Sequence, residues 1–256
     1  MVVAAQYIGK RSSGDQSRSV TGILAVQGAF AEHAEMLDRL GSPWRLLHSA
    51  NDWDDSIARV ILPGGESTVQ GRLLHLTGLF APIAEHIAQG RPVLGTCAGM
   101  ILLARAIENE GAADTASRGA AFAAAAHNNT AHDTTARNDT AAGDTARNDT
   151  ASSGSVHRHA AHESTAYFGA LDAVVRRNAY GRQLGSFETI GSFGDIHDLP
   201  LVFIRGPYVT EVGPNATVES RVDGHVVGLR QGSLLATAFH PELTDDTRVH
   251  ELLLSL

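Results

Sequence analysis

A three-layer α/β fold, with a mostly parallel central sheet that acquires an antiparallel extension, is predicted from the order of apolar runs along this 256-residue chain. Through residues 20–107 short β-rich runs alternate with amphipathic helical stretches, the pattern of βαβ units. Through 167–256 strand-like runs follow one another too quickly for helices to intervene, so these strands turn back on their neighbours. Between the blocks, residues 108–166 hold only Phe122 and Val156 as large apolar side chains, and such a stretch has nothing with which to build a core.

In the first block, TGILAVQ (21–27) reads as a buried strand. AFAEHAEMLDRLG (29–41) follows as a helix, with Ala29, Phe30, His33, Ala34, Leu37 and Leu40 near helical spacing and Gly41 as its stop. WRLLHS (44–49) and RVIL (59–62) are strands, and Pro63-Gly64-Gly65 breaks the second and opens a helix. LFAPIAEHIAQG (79–90) is a helix, PVLGT (92–96) a strand, and Ala98 to Ile107 a helix. In the second block LDAVVRR, PLVFIR, ATVESRV, HVVGLRQ and LLATAFH are strands, before a last helix near 246–255.

The heptapeptide TARNDTA occurs at 135–141 and again at 145–151 but carries no apolar face that stacking would bury. It therefore marks low-complexity expansion, not a solenoid. His127, His132, His157, His159 and His162 lie in the same stretch without thiolate or carboxylate spacing, so no metal site is assigned. The expected organisation is a disordered tail over 1–19 and a single domain over 20–256, interrupted by a disordered, dispensable insert at 108–166.

One cysteine, Cys97, excludes an internal disulfide framework and a Cys-rich zinc site, and suits a reducing, cytoplasmic setting. The first twenty residues lack the apolar core of a signal peptide, and no window approaches the ~18 apolar residues of a spanning helix. With 20 Lys+Arg against 28 Asp+Glu the net charge is −8, and no basic cluster interleaves with aromatics. Neither nucleic acid nor membrane is an expected partner.

Gly95-Thr96-Cys97-Ala98-Gly99 stands where a strand ends and a helix begins, with glycines two residues either side of a nucleophile. This is the pattern of a nucleophile elbow: small flanking residues let strand and helix approach while a strained turn presents the thiol at the helix N-terminus, where the thiolate is favoured. The Ala98 N–H would face a developing oxyanion. A lone cysteine is ordinarily a small buried hydrophobe, but a core cysteine has no need of this glycine frame.

A cysteine nucleophile needs a base, and the base needs an orienter. His240-Pro241-Glu242 supplies both immediately after the strand LLATAF. Residues i and i+2 of an extended segment project to the same side, and Pro241 stiffens the backbone between them. Pro63-Gly64-Gly65-Glu66-Ser67-Thr68 also follows a strand and opens a helix. There Gly65 can offer a second oxyanion N–H, and Glu66 and Ser67 can pair with an amine or a carboxylate; a tight turn with a Ser/Thr helix cap is the simpler alternative.

LPGGEST (62–68), GTCAGMILLA (95–104), RRNAYGRQ (176–183), FIRGPYV (203–209) and FHPELTDDTRVHELL (239–253) together resemble class I, triad-type glutamine amidotransferases, which have a flavodoxin-like fold. Within that class they resemble the glutaminase subunits of pyridoxal 5′-phosphate synthases; GGES and RNAYGRQ carry the finer distinction. The resemblance implies hydrolysis of L-glutamine to glutamate and ammonia, without a cofactor, and delivery of the ammonia to a (βα)₈ synthase subunit that builds vitamin B6. It makes Cys97 the nucleophile, His240 the base and Glu242 the orienter, and places substrate contacts at Gly65, Glu66, Ser67, Arg177, Ile204 and Arg205. Spacing alone selects neither Arg177 nor Arg205, although an Arg suits a carboxylate through a charge-assisted, bidentate pair. Three rivals remain at this stage. A glutaminase of the histidine, purine or anthranilate pathway would keep the same three residues. A stand-alone cysteine hydrolase would need no synthase, and a non-catalytic binding module would need no triad.

Overall fold

Four strands that are buried along most of their length form the centre of the sheet. They are β1 (Val20–Leu24), β3 (Ile57–Leu62), β4 (Val93–Thr96) and β12 (Leu234–Thr237). Continuous burial is what parallel strands covered on both faces require, and β1–β3, β3–β4 and β4–β12 all pair in parallel. The structure is a computed structural model that describes residues 19–108, 167–177 and 186–256.

Outward from β1 lies β2 (Trp44–Leu47), again parallel. Beyond β12 the direction reverses. β11 (His225–Gln231) runs antiparallel to β12, followed by β9 (Tyr208–Val212), β6 (Leu171–Arg176) and, parallel to β6, β5 (Ala104–Glu108). β10 (Thr217–Val222) pairs with β11. The order is β2-β1-β3-β4-β12-β11-β9-β6-β5, which is the mixed α/β sheet read from the sequence. A separate antiparallel hairpin joins β7 (Ser186–Phe193) to β8 (Ile196–Ile204). Phe187 stacks on Phe203 across it, and Phe203 meets Phe239 edge-on just past β12, so the hairpin is anchored beside the end of that strand.

The helices are α1 (Phe30–Arg39), α2 (Ser67–Leu76), α3 (Phe80–Ala88), α4 (Ala98–Leu103) and α5 (Arg248–Leu254). Every residue of α4 is buried. It packs on β3, β4 and β12 and against α2. The glycine frame makes this contact possible: a Cβ on Gly99 would stand 2.0 Å from the Leu62 carbonyl oxygen, and one on Gly95 2.7 Å from the Gly99 backbone.

Three details depart from the sequence expectations. The helix expected over Ala98–Ile107 ends at Leu103, because Ala104–Glu108 pairs with β6 instead. Arg105 there points outward to Asp172 and Glu211 while Ala104 and Ile107 enter the core; tertiary pairing has overridden the helix propensity of an Ala-rich stretch. The sequence expectations omit β7 and β9, since one is exposed or half-buried as far as its last residue, Phe193, and the other follows Gly206-Pro207. The proposed tail and insert lie outside the described residues, except that Ser19 is described and Glu108 closes β5, where it pairs with Arg176 at 2.9 Å.

The ends of the insert, which the family resemblance implies lie close together, are not adjacent. β5 and β6 run parallel, with Ala104 opposite Leu171 and Glu108 opposite Arg176. A connection leaving Glu108 must therefore travel back the length of the strand, roughly 17 Å at about 3.3 Å per residue, to re-enter at Tyr167. Replacing residues 109–166 by a Gly/Ser linker of about 12 residues should leave the thermal midpoint within a few degrees of the parent. A linker of about three residues spans at most ~11 Å and should abolish the cooperative transition seen by circular dichroism.

Candidate active site

β4 and β12 end side by side, with Thr96 opposite Thr237. One further ladder bond, Cys97 N–H to the Thr237 carbonyl at 2.7 Å, carries the pairing one residue beyond the strands. Cys97 then turns sharply: its backbone sits at φ 48°, ψ −99°, ahead of α4. A non-glycine residue rarely occupies this region, and holding it there costs of the order of 1–3 kcal/mol. The buried thiol is thus aimed out of the end of the sheet.

Three residues past β12, His240 reaches the same place. Its N–H donates to the Val202 carbonyl of β8 at 2.8 Å, which ties the histidine to the strand that ends in Ile204. His240 Nδ1 lies 2.7 Å from Glu242 Oε1. Glu242 is held in a 3₁₀ turn over Pro241–Leu243, so the two side chains meet across a turn, not along an extended segment as expected. The imidazole also presses on the glycine turn. A Cβ on Gly64 would lie 2.3 Å from its Cε1, and only a glycine leaves room for the ring.

Burial disfavours a charged His240, but the Cys97 side chain and the Glu242 carboxylate outweigh it and lift its pKa to about 10. His240 Nε2, close enough to Cys97 for that influence, makes no well-aligned hydrogen bond within the described residues. Burial would raise the Glu242 carboxyl, yet the His33 and His240 imidazoles more than compensate and hold it below the usual carboxylate range.

A cavity of about 670 Å³ opens beside these groups. It is lined by Cys97 and His240 and by all six residues expected to touch substrate: Gly65, Glu66, Ser67, Arg177, Ile204 and Arg205. Ala98 opens α4 behind the thiol. Arg177 Nη1 donates to Thr68 Oγ1 and Nη2 to the Tyr167 hydroxyl, both at 3.1 Å, while its buried Nε has no partner among the described residues. Glu66 Oε2 caps α2 by accepting from Val69 N–H at 2.9 Å, so the helix cap weighed as the simpler role is present, provided by Glu66 and not by Ser67 or Thr68.

Several residues at this site escaped the sequence analysis. Gln27 lines the cavity and accepts the Glu66 N–H on Oε1 at 2.8 Å, fixing the glycine turn against the loop after β1. Its signal was a polar residue and a glycine directly after a buried strand. Behind Glu242, His33 and His250 are fully buried, with His33 Nδ1 2.9 Å from His250 Nε2. His33 was counted only as part of an apolar helix face. No group of His, Cys, Asp and Glu among the described residues is arranged to hold a metal ion.

A solved structure described as a glutamine amidotransferase superposes with a TM-score of 0.67 at 30% identity, over 92% of this chain and 97% of the other, which defines the class. The chain belongs to the SNO glutamine amidotransferase family, whose profile matches residues 23–118 and 154–255. Among its relatives is the pyridoxal 5′-phosphate synthase subunit PdxT of Bifidobacterium longum, 57% identical over 243 residues, covering 93% of this chain and all of the relative. The subunit of the same name from Desulfitobacterium hafniense (strain DSM 10664 / DCB-2) is 38% identical over 91% of this chain and 90% of its own length.

The buried imidazoles make the fold acid-sensitive. Burial, then His33, push His250 down to about 3, against the pull of Glu242. The unfolded chain binds that proton near pH 6.5 and the folded chain does not, so stability is complete above pH 6.5 and falls as pH drops toward 3. Between pH 6.5 and 5 one such group costs about 2 kcal/mol. Urea midpoints measured at pH 6.5 and 5, a window in which the folded His240 stays protonated and contributes little, should fall accordingly, and His250→Gln should reduce the difference between them.

Proposed function

We propose that the chain is the glutaminase subunit of a pyridoxal 5′-phosphate synthase, and that Cys97, His240 and Glu242 hydrolyse L-glutamine to L-glutamate and ammonia. The observation that carries this is His240 held between Cys97 and Glu242 at the mouth of a cavity, with its proton affinity raised by both. A histidine in that position is placed to take the thiol proton. Cys97 sulfur then adds to the carboxamide carbon, and the oxyanion is received by the N–H groups of Ala98 and Gly65. His240 gives its proton to the departing ammonia, leaving a thioester. Water, deprotonated by the same ring, releases glutamate and restores the thiol. Glu242 keeps the ring in the correct tautomer throughout.

Arg177 supports recognition of the α-carboxylate, as its buried Nε donor has no partner among the described residues and its other two nitrogens are already braced. Glu66 contributes negative charge for the α-ammonium group; Ser67, Gly65, Ile204 and Arg205 complete the walls. The PdxT name of a relative 57% identical supports the vitamin B6 pathway over the other amidotransferase pathways, and with it a (βα)₈ synthase partner that receives the ammonia. A cytoplasmic location fits a protein whose only cysteine is a buried free thiol. No helix of the described residues is long and apolar enough to cross a membrane.

Ammonia release should fall below detection in Cys97→Ala, and a diazoketone analogue of glutamine should add to the Cys97 peptide and no other. His240→Ala should lose about 10³-fold in kcat and Glu242→Ala only about 10- to 100-fold, since water can partly replace an orienting group. Turnover should rise on adding the synthase subunit. Labelling elsewhere, or Glu242→Ala with wild-type turnover, contradicts the assignment.

A further inference from the structure

We propose that His33 is a positioning residue for Glu242, a role resting on the Cys97–His240–Glu242 assignment above. The two oxygens of this carboxylate are in different situations. Oε1 is held by His240 Nδ1 at 2.7 Å. Oε2 is buried and makes no hydrogen bond of good geometry within the described residues, but His33 Nε2 stands 3.5 Å from it. The same nitrogen is 3.2 Å from Thr96 Oγ1, the residue before the nucleophile. A buried carboxylate oxygen facing nothing polar would favour protonation or rotation of the group. His33 is the group placed to prevent both.

The proton positions follow from the ring contacts. His33 Nδ1 meets His250 Nε2 at 2.9 Å, so one donates and the other accepts. If His33 Nδ1 donated, its Nε2 lone pair would face the Glu242 carboxylate, and His250 Nδ1, which has no partner among the described residues, would carry a buried N–H without an acceptor there. Both consequences are unfavourable. The opposite order satisfies every donor: His250 Nε2–H donates to His33 Nδ1, and His33 Nε2–H points at Thr96 Oγ1 and Glu242 Oε2 with a bare nitrogen at His250 Nδ1. Both rings are then neutral, which agrees with the lowered proton affinity that burial gives each of them. The charged and titratable groups acting on His33 are Glu242 and His240 of the candidate site, His250 of α5, and Glu32 of its own helix. His33 thus joins α1, β4, the turn bearing Glu242 and α5 behind the base, and sets the carboxylate plane that orients His240.

The test separates the two nitrogens. Glutamine places its amide nitrogen near the site of His Nε2, whereas asparagine reaches only as far as Nδ1. With the synthase subunit present, His33→Asn should lower kcat about tenfold and leave KM for glutamine within about twofold, while His33→Gln should stay within about threefold of wild type. In a Glu242→Gln background, His33→Asn should cause no further loss. If His33→Asn does not fold, His250→Leu serves instead: it removes the donor that fixes the tautomer and should lower kcat severalfold at unchanged KM. Equal losses in His33→Asn and His33→Gln, an unchanged kcat in His33→Asn or in its His250→Leu substitute, or additive loss with Glu242→Gln would overturn the proposal. A wild-type kcat in Glu242→Gln alone would instead overturn the assignment on which it rests.

Discussion

The parallel pairing of β4 with β12 is the constraint from which the rest of the site follows. Cys97 and His240 come from segments far apart in the chain, yet Thr96 and Thr237 lie in register and the next bond runs from Cys97 N–H to the Thr237 carbonyl. Both strands are buried along their full length, so a slip of register would turn apolar side chains into the wrong layer. Cys97 and His240 are therefore brought together by the same packing that makes the core. The strained backbone of Cys97 is sustained in the same way: α4 is wholly buried and lies against Leu62 through Gly99, leaving the turn no room to relax.

Charge in so dry a place has to be balanced locally. Glu242 has no side-chain exposure, and burial alone would neutralise it. Its pairing with His240 offsets that penalty, and the Cys97 side chain adds to the pull on the same imidazole. The three groups are interdependent as a result. Two further imidazoles lie behind them with their proton affinities pushed down, so the back of the site is polar but uncharged. The glycine turn at Gly64-Gly65 closes the arrangement from the other side, packed against the His240 ring and tied to Gln27.

Local chemistry was legible in the sequence wherever it is contiguous. The glycine frame around Cys97 foretold a tight strand-to-helix turn, and His-Pro-Glu after an apolar strand foretold the imidazole–carboxylate contact, though not the 3₁₀ turn that makes it. The parallel centre and antiparallel extension were likewise visible, since burial on both faces leaves uninterrupted apolar runs. Contacts made only by the tertiary fold were not visible. Arg177 was placed by resemblance alone, because nothing in its neighbours indicates that it reaches Thr68. His33 and His250 are 217 residues apart, and each looks like a lone polar residue on an apolar helix face. Residues 104–108 favour a helix by composition and form a strand because β6 offers them a partner.

At the centre of this account is the claim that His240 is held as an imidazolium by Cys97 and Glu242. The most direct test is a ¹⁵N NMR titration of the His240 ring in the folded wild-type chain. The account predicts that both ring nitrogens keep their protons through neutral pH and that the ring deprotonates near pH 10. A ring that instead loses its proton near 6.5, the ordinary histidine value, would contradict it and would mean that the three side chains are neighbours without being coupled.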